Sequence, residues 1–95
     1  MTKFIYAVRD TVSGNLGDIA TSGSDAEFVR AFRAQINNPG FPRYIARDLC
    51  VVCLGEYDDQ AGCVSGYDSF RPVAYGSDLL EPERSADVCE SQLPY

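Results

Sequence analysis

The sequence predicts a small α+β domain: one antiparallel sheet in β-β-α-β-β order with a single helix packed on one face. Three observations predict it. Residues 3–10 alternate, with Phe4, Tyr6 and Val8 on one side and Ile5, Ala7 and Arg9 on the other. A helical repeat follows a helix-start signal at Ser24. Two extended runs, 49–57 and 63–75, flank a short polar loop that ends in glycine. With 95 residues there is room for one core. A hydrophobic fraction of 45% and a charged fraction of 23% exclude a wholly disordered chain.

The first strand covers 3–10, and Ser13-Gly14-Asn15 gives a turn signal after it. A short second strand, about 16–21, can fold back as a hairpin, although Gly17 and Asp18 weaken it. Ser24-Asp25-Ala26-Glu27 reads as a capping box. Behind it Phe28, Val29, Phe32 and Ile36 fall on one face of an amphipathic helix over 25–37. Asn37-Asn38-Pro39-Gly40 ends that helix, and 39–48 reads as a loop. Leu49–Tyr57 is a mostly apolar strand, and Asp58-Asp59-Gln60-Ala61-Gly62 a hairpin loop. The return strand, 63–75, contains Pro72, which places it at an edge or a bulge. The domain is expected over 1–76, with 77–95 an acidic, largely unpacked C-terminal extension.

Several function classes are excluded or disfavoured. The chain has no histidine, which removes the commonest general base and the Ser-His and Cys-His nucleophile systems. No carboxylate pair stands out in their place, so no enzyme and no cofactor is expected. Cys50 and Cys53 have C-x-x-C spacing, but on a strand they point to opposite faces and cannot share a metal. Cys63 and Cys89 supply no second such pair, and the expected role of Cys50 or Cys53 is that of a buried core thiol. Adjacent acids in Glu56-Tyr57-Asp58-Asp59 make a poor cation cage and read as a polar turn. No apolar run reaches membrane-spanning length, and the N-terminus lacks the features of a leader, so a soluble intracellular protein is expected.

Charge is unevenly distributed. The net charge is −6, yet residues 1–47 hold six basic and four acidic side chains, and residues 48–95 two basic and ten acidic. Whole-molecule attraction to nucleic acid is thus absent, while a local basic face remains available within a Debye length of ~8–10 Å.

The segments Ile5-Tyr6-Ala7-Val8-Arg9-Asp10, Arg30-Ala31-Phe32, Asn37-Asn38-Pro39, Asp48-Leu49 and Leu54-Gly55-Glu56-Tyr57-Asp58-Asp59 with Gly62 stand in a specific order and spacing. Over about residues 4–75 the chain resembles the small non-structural protein of microviruses, the single-stranded DNA phages of the gokushovirus type. In that family a proline and an acid usually precede the third strand, where this chain has Ile45-Ala46-Arg47-Asp48. The acidic extension lies outside the family's pattern. The resemblance implies a viral protein of the infected bacterium's cytoplasm, absent from the mature capsid. It implies a role in DNA replication or genome packaging, a DNA-binding label and no enzymatic activity.

Binding of single-stranded DNA needs cations for phosphates and exposed rings for bases. The candidates are Arg30, Arg33, Arg43 and Arg47, with Tyr44 as the stacking platform. Phe41 shares the aromatic-basic stretch 41–47. The competing reading packs Phe41 and Tyr44 beneath the loop and pairs the arginines with acids. A different class of function is a non-catalytic adaptor, whose acidic half engages a phage or host replication or assembly protein. A homodimer through an exposed strand edge or sheet face is expected, because one helix leaves the other sheet face uncovered. No membrane partner is expected.

Overall fold

A computed structural model describes residues 1–82. Strand β1 runs Thr2–Asp10, β2 Ala20–Ser22, helix α1 Asp25–Ile36, helix α2 Arg43–Ala46, β3 Leu49–Asp58, β4 Cys63–Tyr75 and helix α3 Gly76–Leu79. The strands form one antiparallel sheet in the order β2-β1-β3-β4. The expected α+β class and the order of its main elements are therefore present.

The first hairpin is shorter on one side than its sequence suggests. β2 keeps only three residues, and Leu16 makes an isolated bridge to Arg9. Gly14 sits at φ 80, and the Gly17 amide donates to the Val8 carbonyl at 2.9 Å, so this stretch follows β1 without a regular ladder. The second hairpin turns as expected. The Asp58 carboxylate accepts from the amides of Gln60 and Ala61 at 3.0 and 3.2 Å, and Gly62 adopts φ 71.

α1 begins at the expected cap: the Glu27 amide donates to Ser24 Oγ at 3.2 Å. The reciprocal half of the capping box is replaced, because the Glu27 carboxylate accepts from Ser22 Oγ at 3.2 Å. This ties the helix start to β2. The α1 stripe meets the sheet through Phe32 and Ile36, which join Tyr6, Ala46, Val51 and Cys53 in one buried cluster, with Phe4, Val8 and Phe28 against it. Phe28 stacks on Tyr6 with ring centroids 4.6 Å apart. Burial of Phe32 and Ile36 contributes roughly 2–3 kcal/mol each.

Ala7, Cys50 and Val52, with Leu54, form a separate buried cluster on the opposite face. Cys50 and Cys53 thus lie on opposite sides of β3, as their spacing requires. Cys63 is exposed, and Cys89 lies outside the described residues. The second face has a roof of its own. The Arg9 guanidinium lies 5.4 Å from the centroid of the Phe70 ring. Since β3 separates β1 from β4, this pair reaches across it.

Two short helices depart from the sequence reading. The loop expected over 39–48 contains α2, started at Pro42, and its Ala46 is fully buried. The extension expected from residue 77 is packed at its start. α3 follows β4 directly, and Leu79 and Leu80 pack against the core. Gly76 permits this approach, because a Cβ there would overlap the Ala46 carbonyl oxygen. Residues 83–95, most of the proposed extension, lie outside the described residues.

Candidate nucleic-acid interface

The site is built where α1 ends. Asn37 caps that helix, and its side-chain amide donates to the Arg33 carbonyl at 2.9 Å and to the Leu79 carbonyl at 3.1 Å. Its side-chain oxygen accepts from the Glu81 amide at 2.8 Å. One side chain therefore closes the helix and clasps the backbone of 79–81. The chain turns next through Asn38, whose carboxamide oxygen accepts from the Gly40 amide at 2.9 Å, and enters α2 at Pro42. Proline suits a helix start, where its missing N–H has no intrahelical partner to lose.

Arg43 and Arg47 are four residues apart and lie on one side of α2. With Tyr44, Phe41, Pro39 and Pro42 they line an open groove of about 540 Å³. The two aromatic residues have different fates. Phe41 packs against the core, as the competing reading holds, whereas Tyr44 is 67% exposed. A core-supported ring and an exposed ring thus line the same groove as two arginines.

The four arginines divide into pairs. Arg33 Nη2 lies 3.9 Å from the Glu81 carboxylate, and Arg43 Nη2 donates to the Glu81 carbonyl at 2.8 Å. Arg30 and Arg47 are exposed and have no ion-pair partner among the described residues. The structure thus brings Arg43, Tyr44 and Arg47 together in one groove and joins Arg33 to it through Glu81. Arg30 sits on the same helix as Arg33, outside the groove lining.

The acids near the β3–β4 turn do not converge. Glu56 accepts from the Tyr67 hydroxyl at 3.2 Å, Asp58 caps the turn, and Asp59 pairs with the terminal amine at 3.0 Å. Turn amides hold the Asp58 carboxyl below the usual carboxylate range. No group of three or more potential metal ligands occurs among the described residues.

Sequence reasoning missed a strut at the other end of α1. The Tyr6 hydroxyl donates to Asp25, and Arg71 donates to the same carboxylate through both Nη atoms at 3.0 and 3.2 Å. It joins β1, α1 and β4. The guanidinium and the phenol hold the Asp25 carboxyl below its ordinary value, and burial together with that carboxylate pushes the Tyr6 phenol up. No local motif signals such a triad, since its members are separated by 19 and 46 residues. The Asn37 clasp also escaped, because asparagine after a helix ordinarily reads as an end signal alone.

A family model described as Phage ORF5 protein matches residues 3–79. The chain belongs to that family. It is accordingly a phage protein, made in an infected host. The match takes in the sheet, α1, the groove and α3, and it stops before Glu81. No curated protein and no solved structure matches the chain. No helix among the described residues is long and apolar enough to cross a membrane.

Proposed function

We propose that this Phage ORF5 family member is a non-catalytic accessory protein of a microvirus, acting in genome replication or packaging through weak, sequence-independent binding of single-stranded DNA. The observation that carries the reading is the groove itself. Tyr44 presents an exposed ring in a groove also lined by Arg43, Arg47 and the core-supported Phe41. Bases stack on exposed rings whatever their identity, and guanidinium groups hold the phosphates between them. Specificity for sequence is not expected, because nothing in the groove has the convergent, buried donors that read base edges.

Fluorescence anisotropy of a labelled oligothymidylate, titrated across a salt series, tests this. Arg30, Arg33, Arg43 and Arg47 engaging four phosphates give a log–log slope of roughly −3, or about an eightfold loss of affinity per doubling of salt. Absence of binding at low salt would transfer the function to the adaptor reading. The net charge of −6 favours that alternative, with a basic protein partner on the acidic half.

A further inference from the structure

The segment after α3 meets the arginines of the groove. Its backbone is held without the Glu81 side chain: Asn37 clasps the Leu79 carbonyl and the Glu81 amide, and Leu79 and Leu80 pack on the core. The Glu81 side chain is therefore not needed for docking. It nevertheless faces Arg33, while its carbonyl takes the Arg43 donor. We propose that the Leu79–Glu81 segment is a built-in competitor for nucleic-acid phosphates at Arg33 and Arg43.

This rests on the single-stranded DNA reading above. The Glu81 carboxylate offsets the charge of Arg33, and its carbonyl occupies an Arg43 donor that would otherwise bind a phosphate oxygen. The Arg33–Glu81 pair is more than half exposed on both sides, so a strand can displace it. Tethering makes it effective: Glu81 is fixed beside Arg33 and competes at a high local concentration. The sequence beyond it keeps the same sign, with Glu83, Asp87 and Glu90 against Arg84 alone, so the charge-removing variants extend to these positions.

The test compares the full chain with Glu81→Gln, with Glu83→Gln/Asp87→Asn/Glu90→Gln, and with all four changes combined. Asp18→Asn/Asp68→Asn serves as a charge control in β4 and the β1–β2 connection. Each is titrated against labelled oligothymidylate at several salt concentrations, and its fold is checked by circular dichroism. Glu81→Gln should tighten binding several-fold, and the fourfold variant about tenfold at low salt. The control should move affinity less than Glu81→Gln does. Equal gains in the control, or unchanged affinity in the fourfold variant while the parent still binds, would overturn the competitor and leave the DNA reading standing. Failure of every variant to bind at low salt would overturn both.

Discussion

Tyr44 and Phe32 illustrate opposite uses of an aromatic residue. Phe32 is buried between α1 and the sheet, so Phe32→Ala leaves a cavity and should cost about 3–5 kcal/mol in a denaturant titration. Tyr44→Ala touches no buried cluster, so thermal stability should stay within a degree or two of the parent. The same change should weaken oligothymidylate binding by roughly 1–3 kcal/mol and leave the salt slope unaltered, because a ring supplies stacking and no charge. Asp25 gives a pH prediction. Its folded-state carboxyl titrates below the unfolded value, so its contribution is present above the unfolded value near 3.9 and disappears as pH falls through the folded one. Arg71→Ala removes the main cause of that shift. Denaturant titrations at pH 7 and pH 3 should therefore show a smaller acid-induced loss in Arg71→Ala than in the parent.

Among the elements, legibility followed the source of stability. β1, α1, β3 and the Asp58–Gly62 turn carry their own patterns: alternation, a capped 3.6-residue stripe, and turn residues at the needed positions. α2 and α3 have only four residues each, too few to propagate a helix alone. They exist because Ala46 is buried and Gly76 packs against it, a contact between segments thirty residues apart that no local window contains. The groove was half legible for the same reason. The spacing of Arg43, Tyr44 and Arg47 showed the chemistry, while the clasp from Asn37 and the approach of Glu81 arise only after folding. Truncation separates these contributions. Ending the chain after Ser77 removes Leu79, Leu80 and the clasp, and should lower the melting temperature clearly. Ending it after Pro82 retains those contacts and should leave the melting temperature nearly unchanged. Asn37→Ala loses its bonds to Leu79 and Glu81 and should cost about 1–2 kcal/mol. Amide exchange at Glu81 should accelerate with it.

For the whole molecule, a charge of −6 opposes any polyanion, so binding has to rely on a local field. Arg43 and Arg47 are the two cations that line the groove, while Arg30 and Arg33 approach from α1. This geometry predicts unequal shares. Arg43→Ala/Arg47→Ala should flatten the log–log salt slope by about 1–1.5, the equivalent of two phosphates on a single strand. Arg30→Ala alone should change it by less than about 0.7, one phosphate's worth, because Arg30 stands outside the groove lining. The long-range repulsion is common to both variants and cancels in their ratio, so their affinities should differ most at the lowest salt and converge as salt rises. Equal slopes for the double variant and the parent would place the phosphate track elsewhere on the surface, away from α2.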